Sequence, residues 1–389
     1  MCKSIAFLSG KGGSGKTTLA LSIASLLSRC NIKVLLIDCD LSTNGATYFY
    51  EGKLSQRKRE ITSFYDILFE NVLKIKAVEI EQYYFFVPSI TQITKKNTRT
   101  YSYRQDNKFS AYNELCNNYD VILFDCQAGY TDILKLILPI SDINLVVMEA
   151  DAISSASMRS LYLKIGDIIN DRKIYQVFNK ASQEEYEIYS KVYGGTVFTN
   201  VETIKFDWKI RKAFSTAQIP DMENTSALYG KQIYDLCIFL FSDEALKSKL
   251  KKFETILDIH FAKESEADII SNISSLRKNY TTTKSKTKRL VLYSMCTMIM
   301  ILFLVYYSLS YNSSISTPLL FGVATGIALF ISYISILDIT KETRLFYKEL
   351  ETKQDQLDEI KVKEKSLKDS LEKFEKKDFS KRVVVRKKH

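Results

Sequence analysis

The residues with the clearest chemical potential lie in a glycine-rich segment close to the first residue. The segment Ser9–Thr18 reads SGKGGSGKTT, follows a short apolar run and precedes an apolar stretch of helical length. Glycines let backbone N–H groups turn toward phosphate oxygens, and the N-terminus of the following helix adds its dipole. The segment therefore predicts a polyphosphate-binding loop whose binding residues are Gly10, Gly12, Gly13, Ser14, Gly15, Lys16, Thr17 and Thr18.

Lys16 and Thr17 have the side chains that a bound triphosphate and its metal require. A lysine at this place in the loop contacts the β- and γ-phosphates, and the hydroxyl group of the next residue binds Mg²⁺. An acid for the metal site follows the apolar run Val121–Phe124, where Asp125 ends a predicted strand. These residues predict a nucleoside triphosphate site with Lys16 as a catalytic group and Thr17 and Asp125 close to Mg²⁺.

Apolar runs of strand length recur along the first part of the chain and are separated by segments of helical length. The runs are nearly continuous in Val, Ile, Leu and Phe, which is typical of a parallel sheet covered by helices on both faces. We therefore predict a doubly wound α/β domain over residues 1–242, ending after the apolar segment Ile233–Phe241. The predicted strands are Ile5–Leu8, Val34–Ile37, Tyr83–Val87, Val121–Phe124, Ile143–Met148 and Ile174–Phe178.

A second lysine, Lys11, follows the first glycine of the loop. The resulting Lys-Gly-Gly-x-Gly-Lys-Thr form resembles the deviant Walker A motif of the ParA/MinD ATPases, and the resemblance covers about residues 1–240. It implies that the nucleotide is ATP with Mg²⁺ and that hydrolysis is slow and stimulated by a partner. In that family the extra lysine reaches the nucleotide of the partner subunit. The resemblance thus implies an ATP-dependent homodimer in which Lys11 acts in trans, much as an arginine finger does.

The same resemblance assigns roles to four residues at the ends of predicted strands. Asp38 would belong to the magnesium shell, and Asp40 would orient the attacking water, because residues 34–44 resemble the first switch of the family. Gly129 would donate its backbone N–H group to the γ-phosphate. Asn179 would pair with adenine, although an ordinary turn residue at the end of a strand is an alternative reading of Asn179.

The sequence departs from the family pattern at two places. Leu41-Ser42-Thr43 replaces the Pro-Gln-Gly of plasmid-partition ATPases, which weakens any transfer of a role in DNA segregation. Gln127 stands where the second switch of the family usually has proline. The segment Phe206–Pro220 resembles the stretch that closes the adenine pocket.

The C-terminal third of the chain has a different composition. Residues 290–311 and 312–337 contain no charged side chain, whereas Lys284, Lys286, Lys288 and Arg289 precede them and Lys341 and Arg344 follow. Apolar stretches of about 20 residues match the hydrocarbon layer of a membrane, and flanking basic residues favour the cytoplasmic side. We predict transmembrane helices at 290–311 and 317–337, preceded by a connecting helix and basic segment at 243–289. Residues 338–389 would form a cytoplasmic helical or coiled-coil tail.

The amino-acid composition narrows the remaining classes of site and of function. The seven cysteines are scattered and only two histidines occur, which argues against a disulfide framework and against a histidine-based metal centre. The favoured interpretation is an ATPase switch at the cytoplasmic membrane that binds a protein partner through its helical tail. A tyrosine autokinase and a membrane-tethered DNA-positioning or defence-system ATPase are alternatives. The net charge of +10 makes nucleic acid a possible partner, although not the favoured one.

Overall fold

The computed structural model of the protein describes residues 2–55, 61–69, 72, 74–90, 110–169, 174–193, 199–200, 203–219, 225–241, 243–310 and 316–386. The polar and basic segment 91–108, which interrupts the alternation of predicted strands and helices, lies outside these ranges. The chain divides into two compact units. One comprises Met1–Phe261 with Leu371–His389, and the other comprises Ala262–Ser370.

Among the described residues, eight strands form one sheet in the first unit, in the order β3-β4-β2-β5-β1-β6-β7-β8. All neighbouring strands are parallel except β3 and β4, which form an antiparallel pair. The strands are β1 (Lys3–Leu8), β2 (Val34–Asp38), β3 (Val78–Glu81), β4 (Tyr84–Val87), β5 (Val121–Asp125), β6 (Ile143–Met148), β7 (Ile174–Phe178) and β8 (Thr199–Asn200). The predicted α/β fold with a mostly parallel sheet is confirmed.

Helices connect the strands in the described part of this unit. They are α1 (Lys16–Arg29), α2 (Gly45–Phe49), α3 (Glu51–Leu54), α4 (Phe64–Phe69), α5 (Ser110–Asn118), α6 (Leu134–Ile137), α7 (Ala152–Ile169), α8 (Gln183–Tyr193), α9 (Trp208–Ser215) and α10 (Ala227–Leu240). Two buried apolar clusters flank the sheet, because alternate residues of β1, β2 and β5 enter opposite clusters. This explains why the central strands are continuous apolar runs, since both faces of the sheet are removed from water.

The strand register places the C-terminal ends of β2 and β5 side by side. Leu36 pairs with Leu123 and Asp38 pairs with Asp125, so both strands end in an acid at the same edge of the sheet. The loop after β1 and the residues after β6 and β7 reach the same edge, because those strands run parallel to β5. In an open parallel sheet this edge is where ligands bind.

Two long helices follow the sheet domain: α11 (Glu244–Ser310) and α12 (Ser316–Arg386). The start of α11 packs onto the core of the domain through Leu246, Leu250 and Phe253. The helix then continues without interruption across residue 290, where the sequence changes from charged to apolar. Lysine and glutamate are good helix formers, so a change of charge does not end a helix.

The predicted transmembrane hairpin at 290–311 and 317–337 is not supported. Within the ranges that the structure describes, no helix combines the length and the apolar character needed to cross a membrane. Instead, the described residues of the two predicted spans, 290–310 and 317–337, form parts of longer helices that also contain charged segments. Inside the second unit, the ring of Tyr280 on α11 stacks on Phe346 of α12, with 4.1 Å between ring centroids. The two helices are therefore in contact in this unit.

Candidate nucleotide-binding site

The loop between β1 and α1 has a backbone that only glycine tolerates at several positions. Gly13 and Gly15 have φ angles of 81° and 94°, in the left-handed region that residues with a Cβ atom avoid. Gly10 lies against helix α7, where an added Cβ atom would come within 2.5 Å of the backbone carbon of Ser157. The glycine pattern of the sequence therefore corresponds to real constraints of backbone angle and close approach.

The two residues at the start of α1 point toward groups of the same site. Lys16 is buried, with 8 % of its surface exposed, and its Nζ atom donates to Ser9 Oγ at 2.9 Å. The hydroxyl group of Thr17 forms a hydrogen bond with the Asp125 carboxylate. The lysine predicted for the phosphates, the threonine predicted for the metal and the acid of β5 are thus brought together.

Asp38 and Asp125 form a buried pair of acids at the end of β2 and β5. Burial, followed by the neighbouring Asp125 charge, raises the pKa of Asp38 to about 7, against the lowering effect of hydrogen bonds from Thr47. Burial likewise raises the pKa of Asp125 to about 6, although Lys16 and Thr17 act in the opposite direction. Two adjacent carboxylates are costly to bury in their charged forms unless a cation lies close to them.

A nucleotide with Mg²⁺ fits these residues. The Oδ1 atom of Asp125 and the hydroxyl group of Ser14 are buried and have no hydrogen-bond partner among the residues that the structure describes, which is unusual for buried polar atoms. The described residues contain no group of three or more His, Cys, Asp or Glu side chains that could hold a metal ion. Mg²⁺ commonly combines one or two protein oxygens with phosphate oxygens and water, so an acid pair and the Thr17 hydroxyl are sufficient.

The second lysine of the loop lies in a cluster of charges. Lys11 Nζ is 2.9 Å from Asp151 Oδ2 and 3.0 Å from Glu149 Oε2, and its side chain is 29 % exposed. Asp151 and Glu149 follow strand β6 directly. The hydrogen bonds that Lys11 donates to Asp151 and then to Glu149 raise the pKa of Lys11. Lys180, which follows β7, donates to Glu149 at 2.8 Å and to the carbonyl oxygen of Gly13 at 2.6 Å.

Two residues with predicted roles at the γ-phosphate have partners within the protein. The Asp40 Oδ1 atom accepts from the backbone N–H groups of Ser42 and Thr43 at 3.0 and 2.9 Å, so Asp40 organises the turn after β2. The N–H group of Gly129 donates to the carbonyl oxygen of Ser9 at 2.8 Å rather than facing a free position. Both residues border the loop, and their roles toward water and phosphate stay predictions.

Asn179 joins the loop to a neighbouring cavity. Its Nδ2 atom donates to the carbonyl oxygen of Ser14 at 2.8 Å, and a Cβ atom at Gly15 would approach Nδ2 to 2.1 Å. The cavity has a volume of about 310 Å³, which is within the size range of small-molecule sites. It is lined by Thr18, Asn179, Lys180, Lys205, Phe206, Asp207, Ile210, Arg211, Phe214 and Tyr229. Five of these residues, from Phe206 to Phe214, belong to the described part of the predicted segment Phe206–Pro220.

Sequence reasoning did not find Glu149, Asp151, Lys180, Thr47 or Ser89. Glu149 and Asp151 offered one signal, because acids directly after a parallel strand lie at the ligand-binding edge of the sheet. Lys180 offered a similar signal, because it lies two residues after the parallel strand β7. Thr47 and Ser89 offered no signal, since a threonine in a short helix and a serine after a strand are ordinary residues.

Comparisons with known proteins agree with this site. Residues 2–177 match the model of a family described as an AAA domain, AAA_31. The chain is 30 % identical over 144 residues to an uncharacterised ATP-binding protein of Methanocaldococcus jannaschii, covering 36 % of this chain and 50 % of that protein. It is 39 % identical over 64 residues to the chromosome partitioning protein ParA of Caulobacter vibrioides, covering 16 % and 22 % respectively. The chain spans half or less of the length of these curated relatives.

A solved structure of the septum site-determining protein MinD from Pyrococcus horikoshii, in complex with Mg-ADP, is also similar. It shares 19 % sequence identity with the chain at a TM-score of 0.49, and the match covers 64 % of this chain and 99 % of that one. The phosphate loop, the acid pair and the matched family model all lie in the first part of the sheet domain. Residues 2–177 are therefore similar to the family described as an AAA domain, the chain is similar to an ATP-binding protein, and the phosphate loop and acid pair of this part fit ATP with Mg²⁺.

Proposed function

We propose that the protein is a switch that dimerises when it binds ATP and separates after slow hydrolysis. The position of Lys11 carries this proposal. Its ammonium group lies at the partly exposed rim of the phosphate loop and contacts Glu149 and Asp151, whereas Lys16 occupies the buried interior of the same loop. A second lysine held at the rim is suited to reach a nucleotide bound by a facing subunit.

The chemistry divides between the two lysines and the acids. Lys16 and the loop backbone bind the phosphates of their own nucleotide, and Thr17 with Asp38 and Asp125 hold the Mg²⁺ shell. Lys11 of each protomer neutralises charge on the nucleotide of the other protomer. Asp40 orients water for hydrolysis, because its carboxylate lies in the turn that follows Asp38. When bound, Mg²⁺ would stabilise the negative charge that develops on the phosphate oxygens.

The dimerisation proposal is tested by measuring molecular mass in detergent by light scattering. We expect the wild-type protein to be larger with ATP than with ADP, and we expect Asp40→Asn with ATP to give the most persistent dimer. The asparagine keeps an oxygen that accepts the hydrogen bonds of the turn, so it separates loss of charge from loss of the turn. Lys11→Ala should stay monomeric. The same mass in every condition would contradict the switch.

We propose further that the protein associates with the cytoplasmic membrane, with its ATPase domain and C-terminal segment on the cytoplasmic side. Support comes from exposed apolar side chains on the described parts of α11 and α12, which water solvates poorly, next to basic residues that attract anionic lipid. The α11 side chains include Leu292, Tyr293, Met295, Ile299, Met300, Phe303 and Tyr306, and those on α12 include Leu329, Phe330, Tyr333 and Ile334.

Flotation with anionic vesicles tests this association. We expect the protein to float with the vesicles, and we expect Ile299→Ser with Phe303→Ser to reduce the floating fraction. Matched substitutions on the exposed part of α8, such as Ile188→Ser, should have no effect. Protein that remains in the dense fraction at low salt would refute lipid association.

Binding of a protein partner through the C-terminal part of α12 belongs to the same proposal, because a dimer of the ATPase domain brings two such helices together.

A further inference from the structure

A buried chain of polar groups connects Asp38 to the end of strand β4. Thr47 donates its backbone N–H group at 2.8 Å and its hydroxyl group at 2.7 Å to the same oxygen, Asp38 Oδ2. Ser89, two residues after β4, donates its backbone N–H group to Thr47 Oγ1 at 2.8 Å. The hydroxyl group of Ser89 donates to Asn44 Oδ1 at 2.7 Å. Asp38 and Ser89 have no exposed surface, and Thr47 is 8 % exposed.

The hydrogen bonds in this chain determine one another. The Ser89 N–H group fills an acceptor position on the Thr47 oxygen, and an ionised carboxylate only accepts, so the single Thr47 proton is directed at Asp38. The Ser89 proton is used in turn by the amide oxygen of Asn44. The hydroxyl oxygens of Thr47 and Ser89 also lie 2.9 Å apart, so the two groups contact each other as well as these acceptors, and a buried network of this kind fixes the orientation of its members.

The backbone supports the same arrangement. Asn44 has a φ angle of 53°, a left-handed conformation that is uncommon for a residue with a side chain, and it directly precedes helix α2, which carries Thr47. Asn44 is fixed from two sides, because its N–H group donates to the Asp40 carbonyl at 3.0 Å while its side chain accepts from Ser89. Ser89 thus holds both Thr47 and the residue from which its helix starts.

We propose that Thr47 and Ser89 are positioning residues for the Mg²⁺ site. Thr47 donates twice to Asp38 Oδ2 and Ser89 holds Thr47 in place, so the two residues hold the carboxylate in one orientation with respect to the paired Asp125. The inference rests on the proposed nucleotide and Mg²⁺ site, and it adds residues on α2 and after β4 to that site. Removing a group that orients a metal-binding side chain typically weakens metal binding by about tenfold to a hundredfold.

The test uses the full-length protein in detergent with ADP and Mn²⁺, and free Mn²⁺ is measured by electron paramagnetic resonance. Thr47→Val keeps the shape of the side chain and removes the hydroxyl group, whereas Thr47→Ser keeps the hydroxyl group. We expect Thr47→Val to weaken Mn²⁺ binding by about tenfold and Thr47→Ser to bind within about twofold of wild type. Ser89→Ala should weaken Mn²⁺ binding in the same direction. ADP affinity measured in EDTA should be unchanged in all three variants.

The outcomes separate this inference from the function on which it rests. If the wild-type protein with ADP does not bind Mn²⁺, both the nucleotide site and the inference fail. If wild type binds and both Thr47→Val and Ser89→Ala bind equally well, only the inference fails. A parallel loss of ADP affinity in EDTA would assign the network a general structural role and overturn the proposal. If Thr47→Val does not fold, as judged by its melting curve, Ser89→Ala decides by the same criteria.

Discussion

In the proposed dimer, Lys11 must leave two carboxylates before it can reach the nucleotide of a facing subunit. Its contacts of 2.9 Å to Asp151 and 3.0 Å to Glu149 are partly exposed ion pairs, with 38 % and 28 % of the acidic side chains accessible. Such pairs contribute roughly 0.2–1 kcal/mol each. Because both share one ammonium group, we take about 1 kcal/mol for each protomer, or about 2 kcal/mol for a symmetric dimer. Removing this cost should tighten the dimer by about 30-fold.

The perturbation is the double substitution Glu149→Gln with Asp151→Asn. Asp151 accepts hydrogen bonds from the backbone N–H and the hydroxyl group of Ser154 at the start of α7; asparagine keeps an oxygen for the N–H group, and its amide N–H group can donate to the Ser154 hydroxyl oxygen instead. The substitutions therefore remove charge while retaining shape and the helix start. The remote substitution Asp235→Asn, which breaks an ion pair with Lys231 on α10, is the matched control.

The assay is the dissociation constant of the ATP-bound dimer from sedimentation equilibrium, measured in an Asp40→Asn background so that the nucleotide persists. We expect the double variant to dissociate at about 30-fold lower concentration than the Asp40→Asn parent. The Asp235→Asn control should equal the parent. A weaker dimer in the double variant would refute the reasoning, because it would mean that the two acids contribute to the interface. An unchanged constant would show that Lys11 leaves the acids without cost.

Three further outcomes follow from the site. Trp208 is the only tryptophan of the chain and is 68 % exposed beside the cavity, so ADP should shift its fluorescence emission to shorter wavelength; an unchanged spectrum with bound ADP would place the base elsewhere. Gly10→Ala should lower stability by about 1–3 kcal/mol in denaturant unfolding, because the added Cβ atom overlaps the α7 backbone. In EDTA the raised pKa values of Asp38 (about 7) and Asp125 (about 6) should make the melting temperature fall as pH rises from 5 to 8, and Asp125→Asn should reduce that fall.

The sheet and the phosphate loop could be predicted because both depend on local sequence. Central strands buried on two faces must be continuous apolar runs, so β1, β2, β5, β6 and β7 were found within two residues of their ends. The loop glycines are required by backbone angles that few other residues adopt. Strands β3 and β8 were missed, because β3 alternates buried and exposed residues over only four positions and β8 has two residues.

The partners of the predicted side chains could not be derived in the same way. Lys11 meets Asp151 across 140 positions of sequence, and Thr47 meets Ser89 across 42. Such contacts depend on the order of strands in the sheet, which local patterns do not specify. The change of composition at residue 290 was interpreted as the start of a separate helix, but backbone hydrogen bonding continues through it in α11. The apolar or charged character of a segment indicates the environment of a helix, but it does not indicate where the helix begins or ends.

The structure also offers a physical reason for the protein to distinguish ATP from ADP. The family resemblance directs the Gly129 N–H group at the γ-phosphate and the Lys11 ammonium group at the phosphates of the partner's nucleotide, and these two donors already have acceptors in Ser9, Glu149 and Asp151. A ligand that binds these donors must replace their present hydrogen bonds. It therefore needs an acceptor within reach of the donors, with a negative charge comparable to that of the carboxylates. ADP lacks the terminal phosphate that would supply it. A conformational equilibrium shifts only by the difference in a ligand's affinity for its two states, and in the proposed switch the exchange of these bonds is the source of that difference for ATP.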